Sequence, residues 1–241
     1  MVWHCLQHLP DEGPGHAAYW LAAHGHALTF TRLFEPYPTF PALREFDGLL
    51  ILGGAMSVHD EAEFPWLVAE KVFLREALRA GKLTLAICLG AQLVAQALGG
   101  EVRRNPAPEI GFWTVRFAAR ALSHPLLRGW PDKATVLHWH VDTFTVPPGA
   151  VRVGMSAGCA AQGFAWGDGI IGLQFHPEMT EEMVEKLMTF EGHETAGEEE
   201  FVQTATQIRG KLKSVWKGRL LLEALLENMV ALHDNEVLDL P

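Results

Sequence analysis

The chain has 241 residues, enough for one large domain or two small ones around a substantial core. Its 19 lysines and arginines face 29 aspartates and glutamates, a net charge of −10 with no basic run, which argues against nucleic acid and acidic membranes as partners and for a small substrate. Three widely spaced cysteines, Cys5, Cys88 and Cys159, make neither a disulfide framework nor a zinc spacing; no apolar run has bilayer length and Pro10, Asp11 and Glu12 break the start early, so a cytoplasmic location is expected.

In chain order, residues 2–9 read as a first strand, followed by a turn over 10–15 and an amphipathic segment ending near Gly25. A second strand spans 27–33. After a loop rich in proline and aromatics (35–41), residues 46–52 form a third strand, apolar almost throughout, as expected of a strand covered on both faces. Gly53 and Gly54 follow it directly. Residues 66–80 carry Leu67, Val68, Val72, Leu74 and Leu78 at helical spacing, with Gly81 closing the helix before a strand over 83–87. Strand and helix thus alternate, which predicts an α/β fold: a mainly parallel sheet flanked by helices on both faces, with ligand sites beyond the carboxyl ends of the strands. In the second half, short strands over 111–117, 135–137, 151–156, 163–166 and 170–175 are expected to add antiparallel strands to that sheet. Residues 180–190 predict a helix with Thr180 as N-cap, 192–200 a loop, and 202–213 and 215–232 two closing helices. The division is therefore a domain over 1–190 and a C-terminal helical extension over 191–241 packed on it.

Two stretches carry chemistry. In LTLAICLGAQ, residues 83–92, Cys88 follows an apolar strand directly and Gly90 opens a run of helix formers. That places the thiol on a strand-to-helix turn, held exposed, with backbone N–H groups of the helix start facing any anion formed there. In Gln174-Phe175-His176-Pro177-Glu178, a histidine and a carboxylate stand either side of a rigid proline at a strand end, a spacing that suits a base and its orienting group.

Four motifs resemble, in the same order, those of the class I (triad-type) glutamine amidotransferases, in particular free-standing members related to the amidotransferase half of GMP synthetase. LGGAMS at 52–57 resembles the glycine-rich oxyanion loop, AICLGAQ at 86–92 the nucleophile elbow, HWHVD at 138–142 the substrate-side loop and GLQFHPE at 172–178 the histidine-glutamate motif. Two positions depart from the common pattern. Ala86 stands where many members have glycine, and Ala55 where many have proline, which would crowd the turn slightly and loosen the oxyanion loop.

The resemblance implies a flavodoxin-like fold and a glutaminase in which Cys88 attacks the side-chain amide of L-glutamine, with a γ-glutamyl thioester and release of ammonia and glutamate. It further implies His176 as acid and base, Glu178 as its orienting group, Gly54 and Leu89 as oxyanion donors, and Gln92, Trp139 and His140 on the substrate side; Glu109, in the EIGF segment, is read as facing the same region. No cofactor is implied. A metal would need convergent ligands that His4, His8, His138 and His140 do not supply by spacing. Three readings stay open: a glutaminase serving a separate ammonia-accepting synthetase, a free-standing hydrolase of γ-glutamyl peptides or amides, and a non-catalytic binding or regulatory protein of the same fold. Trp113, Trp139 and Phe144 are expected in loops that narrow the site and favour glutamine.

Overall fold

The computed structural model describes residues 1–190 and 199–238. The chain runs β1 (Val2–Gln7), α1 (Gly15–Ala23), β2 (Ala27–Arg32), β3 (Gly48–Ile51), α2 (Trp66–Arg79), β4 (Leu83–Ile87) and α3 (Leu89–Ala97). It continues through β5 (Val102–Phe117), α4 (Ala119–Leu122), β6 (Lys133–Phe144), β7 (Val151–Arg152), β8 (Gly154–Met155), β9 (Gly163–Trp166) and β10 (Ile170–Leu173). Last come α5 (Glu181–Phe190), α6 (Ala205–Arg209) and α7 (Val215–Leu238). Among the described residues, no helix is long and apolar enough to cross a membrane.

The main sheet has seven strands in the order β2-β1-β3-β4-β10-β9-β7. β2, β1, β3, β4 and β10 are parallel, and β9 and β7 continue the edge antiparallel. The apolar runs of β3, β4 and β10 are buried at every position because helices cover both faces. On one face Ala17 and Leu21 of α1 share a core with Leu222 and Leu225 of α7 and with Leu50, Leu85 and Ile171 of the sheet. On the other, Leu67 and Leu74 of α2 and Leu93 and Val94 of α3 pack on Leu49, Ile51 and Ala86. Ala86 is fully buried in that layer, so its methyl, expected to crowd the turn, is used as packing.

The second half departs from expectation. Of its strands, β7 and β9 join the main sheet antiparallel and β10 joins it parallel to β4 rather than antiparallel; β5, β6 and β8 form a separate three-stranded antiparallel sheet, and the chain passes from one sheet to the other at buried Val153, between β7 and β8. β5 and β6 are 16 and 12 residues long, far longer than the stretches 111–117 and 135–137. Pro106 and Pro108 hid the first half of β5; they fall where the β5–β6 register shifts, between Arg104 and Glu109, a position that can spare their missing N–H groups. HWHVD consequently lies inside β6, and Glu109 inside β5, rather than in loops. The inner side of this sheet closes over Phe112, Leu137, Val184, Met188 and Ile208.

Thr180 caps α5 through its hydroxyl, which accepts from Met183 N at 3.2 Å. The loop expected over 192–200 falls mostly outside the described residues. Of the two closing helices, α6 is a short turn capped by Thr204 and Gln207, and α7 extends past the expected end. α7 lies against the large core through Leu221, Leu222, Leu225, Leu226 and Met229. Trp130 Nε1 donates to Leu221 O at 3.0 Å, and Asn228 Nδ2 donates to the carbonyls of Leu126 and Arg128. At Gly218 the helix approaches the His-Pro-Glu turn so closely that a Cβ there would stand 3.1 Å from Pro177 Cα. With Leu225 fully buried in that shared core, Leu225→Ala is expected to lower the stability of the whole chain by about 2–5 kcal/mol. Thermal unfolding followed by circular dichroism checks this: a main transition left at the wild-type temperature would make α7 an independent appendage.

Candidate active site

Cys88 is the residue between β4 and α3, and its backbone is strained: φ is +51° and ψ −110°, one of two non-glycine positive φ values among the described residues. The surroundings over-determine it. Cys88 N donates to Leu173 O of β10 at 2.8 Å, and Gly90 N donates to Leu52 O at 3.1 Å, tying the elbow to the glycine loop after β3. A Cβ on Gly90 would meet Ile51 O at 2.5 Å, so only glycine allows this approach. The elbow lifts the sulfur into a cleft of about 370 Å3 at the carboxyl edge of the sheet, lined among others by Gly54, Gln92, Trp139, His140 and His176.

His176 follows β10 and reaches the same point. Its N–H is bound to Leu137 O of β6 at 2.9 Å, so the second sheet fixes its backbone. Nδ1 lies 2.7 Å from Glu178 Oε1, and both side chains are almost wholly buried. Nε2 is committed to no acceptor, and the titrating groups that act on the ring are Glu178 and the Cys88 thiol. Burial works against a charged ring, but the carboxylate of Glu178 and the sulfur of Cys88 outweigh it and raise the His176 pKa well above the ordinary imidazole value. The carbonyl of Glu178 accepts from His16 N at the start of α1, which holds the turn from the other side.

Gln174 is the residue that sequence reasoning named but gave no role. Its Nε2 stands 3.6 Å from Cys88 Sγ, and its Oε1 accepts from Gln92 Nε2 at 3.2 Å. It stands two residues before His176 in the turn that leaves β10, and that spacing was the available signal. Gln92 also donates to Asp142 O. The Trp139 carbonyl accepts from the Cys88 thiol at 3.8 Å.

Glu109 is fully buried and does not line the cleft; it lies behind His140, because its place in β5 is directly opposite that residue. Its carboxylate accepts from His140 Nε2 at 3.0 Å and from Ser156 and Gln162. Burial pushes Glu109 upward, yet His138 and His140 prevail and hold it well below the usual carboxylate range. Glu109, His140 and Cys159 bring one ligand-capable atom each within 4.8 Å, and each of these atoms is already hydrogen bonded, Cys159 to Thr143 and Ala161. The four histidines do not converge: His4 binds Thr29 and Thr31, and His8 binds Glu70 and Gly53 O. Nor do the three aromatics meet. Trp113 packs on Phe201, and Phe144 on Phe164, and of the three it is Trp139 that lines the cleft. Arg104, Asp60, Asp142 and Glu12, which the sequence offered no reason to choose, give its walls both signs of charge.

A doubly covered α/β sheet thus carries a cysteine elbow and a buried imidazole–carboxylate pair at its carboxyl edge, and the comparisons with known proteins place that fold in one family. The family profile described as glutamine amidotransferase class-I matches residues 18–195. A glutamine amidotransferase-like protein of Salmonella typhimurium, YfeJ, is 30% identical over 211 residues, covering 86% of this chain and 88% of its own. One subunit of the glutamine-hydrolyzing GMP synthase of Sulfolobus acidocaldarius is 34% identical over 159 residues, 64% of this chain and 80% of its own. A glutamine amido transferase structure from Methylobacillus flagellatus superposes with a TM-score of 0.87 at 31% identity, over 95% of this chain and 93% of that one. One from Thermotoga maritima gives 0.85 at 27% identity, over 95% and 98%. The chain belongs to the class I glutamine amidotransferases, a family of cysteine-nucleophile enzymes.

The three thiols differ in setting. Cys5 is fully buried and its pKa is pushed far up by burial; Cys159 is pushed up in the same way; Cys88 alone lines a cleft. Iodoacetamide followed by peptide mass spectrometry is expected to modify Cys88 first. Preferential labelling of Cys159 would remove Cys88 from the reactive position.

Proposed function

We propose that this chain hydrolyses the side-chain amide of L-glutamine through Cys88, His176 and Glu178. One observation supports this most: His8, His140 and His176 are each hydrogen bonded to a buried glutamate near the cleft, and of the three only His176 keeps a ring nitrogen uncommitted. His8 and His140 place their other nitrogen on a backbone carbonyl, Gly53 O and Asp142 O. His176 Nε2 is left to take a proton, beside the thiol. His138, also fully buried, does not line the cleft, and burial lowers its pKa.

In this reading the sulfur bonds to the amide carbon while its proton passes to His176 Nε2, and the carbonyl electrons move onto oxygen. The N–H of Leu89, first in α3 and without an intrahelical acceptor, and the N–H of Gly54 receive that oxyanion, each donor contributing about 3–4 kcal/mol. The oxyanion collapses, the carbon–nitrogen bond breaks, and His176 returns its proton to the departing ammonia. A water then gives His176 a proton as its oxygen attacks the thioester, and glutamate leaves with Cys88 restored. Gln92 and Trp139 line the cleft where the amino-acid end would sit, and His140 lines it with Glu109 holding the ring from behind. Walls bearing both charge signs suit a zwitterion, and a cleft of about 370 Å3 is at the small end of the roughly 300–1,000 Å3 usual for ligand pockets. A separate ammonia-accepting synthetase belongs to the same proposal, since a similar chain is named as one subunit of a GMP synthase.

The position of Trp113 and Phe144 away from the cleft removes two of the three aromatics expected to narrow it, and this favours a second reading, hydrolysis of γ-glutamyl peptides or amides. The purified chain is expected to hydrolyse glutamine slowly and γ-glutamyl dipeptides more slowly still. Dipeptide hydrolysis faster by more than about tenfold, about 1.4 kcal/mol in barrier, would make it a peptidase.

Substitutions test the roles. Cys88→Ala and His176→Asn are expected to abolish turnover, because no other group can replace the nucleophile or the proton acceptor. Glu178→Gln should retain a reduced, measurable rate, because an amide oxygen can still accept from Nδ1. Wild-type turnover in His176→Asn would overturn the triad, and equal losses at 176 and 178 would give Glu178 more than an orienting part.

A further inference from the structure

The catalytic reading does not use His8, although it is almost fully buried just beyond the carboxyl end of β1, beside the cleft. Its two ring nitrogens meet two acceptors: Nδ1 lies 3.0 Å from Gly53 O, and Nε2 lies 2.9 Å from Glu70 Oε1 of α2. Between a main-chain carbonyl and a glutamate the ring can donate at both nitrogens, and these surroundings favour its doubly protonated form, paired with Glu70. Burial alone would lower the His8 pKa, but the charge and hydrogen bond of Glu70, the Gly53 carbonyl and the charge of Glu12 raise it. The Trp66 ring, 5.6 Å from the imidazole, closes the remaining side.

What His8 holds is one edge of a single peptide group. The carbonyl of Gly53 and the N–H of Gly54 belong to the same planar unit, which is trans, so the two bonds point in opposite directions. With the carbonyl directed to buried His8, the N–H is directed to the opposite side, where Gly54 lines the cleft beside Cys88. Contact fixes the spacing as well: a Cβ on Gly54 would stand 3.0 Å from His8 Cβ and 3.0 Å from Leu89 Cδ2. The loop, with Ala55 after its double glycine, is held by tertiary anchors. Ser57 supplies one, donating to Asp142 at 3.0 Å, and His8 supplies another at the peptide itself.

We propose that the His8–Glu70 ion pair is a positioning device for the oxyanion hole: it aims the Gly54 N–H at the reacting carbonyl and, by donating charge-assisted to Gly53 O, polarises that N–H. The proposal rests on the glutaminase reading only in that Gly54 serves as a donor. It acts on the transition state, where the oxyanion exists, and leaves substrate binding and the thiol untouched.

The test has two arms. In the kinetic arm, His8→Leu removes the donor, whereas His8→Asn keeps an N–H group near the position of Nδ1. His8→Leu is expected to lower kcat for glutamine by about 10- to 100-fold with KM and the iodoacetamide alkylation rate of Cys88 within about threefold of wild type. His8→Asn is expected to recover most of kcat. Full kcat in His8→Leu overturns the proposal. So does a parallel collapse of alkylation and KM, which marks general disruption of the fold, or an Asn variant as slow as the Leu variant. In the second arm, nitrogen-15 NMR at neutral pH is expected to show the His8 ring with protons on both nitrogens in the wild type and in Cys88→Ala, and a shifted Gly54 amide in His8→Leu. A neutral His8 tautomer, or a Gly54 amide unmoved by His8→Leu, overturns the proposal. This arm needs no turnover, so a chain inert towards glutamine would count against the glutaminase reading and leave the positioning inference to be decided by the spectra.

Discussion

The backbone of Cys88 is the constraint around which the molecule is arranged. A cysteine at φ +51° is in a conformation that side chains avoid, and left to itself the turn would relax. Three elements prevent this: β10 accepts the Cys88 N–H, the segment after β3 accepts the Gly90 N–H, and Ile51 leaves room at position 90 for no side chain. The parallel order β3-β4-β10 puts these partners on either side of the elbow, so the strained turn and the sheet topology depend on each other.

Around the sulfur, chemistry is divided by what each imidazole can do with its second nitrogen. His8 and His140 each have both ring nitrogens hydrogen bonded, one to a buried glutamate and one to a main-chain carbonyl, and are spent on holding shape. His176 has one nitrogen on Glu178 and one uncommitted. Three pairs of the same two residue types thus have different capacities, and the difference is made by where a neighbouring carbonyl points. Burial strengthens the contrast, because a donor locked in a low-dielectric surrounding is costly to redirect.

The second sheet and α7 serve the site from outside the parallel core. β6 supplies the carbonyl that fixes the His176 backbone, the carbonyl that meets the thiol and one wall of the cleft. α7 presses Gly218 against Pro177 while its leucines complete the core under β1 and β4. The edge that carries Cys88 and His176 is therefore clamped between the second sheet, which also walls the cleft, and α7, which touches it only from behind.

Much of this was written in the order of residues. Apolar runs of strand length, the 66–79 stripe and the glycines between them determined the alternating architecture, since backbone hydrogen bonding and burial act within a few residues. Cys88 at a strand-to-helix junction and His176 two residues before Glu178 were legible for the same reason: their relation is local. Other features were decided only by tertiary structure. Pro106 and Pro108 concealed the length of β5, because their tolerance depends on a register shift against β6 that no local pattern encodes. Glu109 was expected to face the substrate and instead lies behind His140, since pairing across two strands, 31 residues apart in sequence, set its direction. His8 and Glu70 are 62 residues apart, and nothing near either marks the other; their pairing exists because β1 and α2 meet beside the glycine loop, and a carbonyl's direction is a property of the folded chain alone.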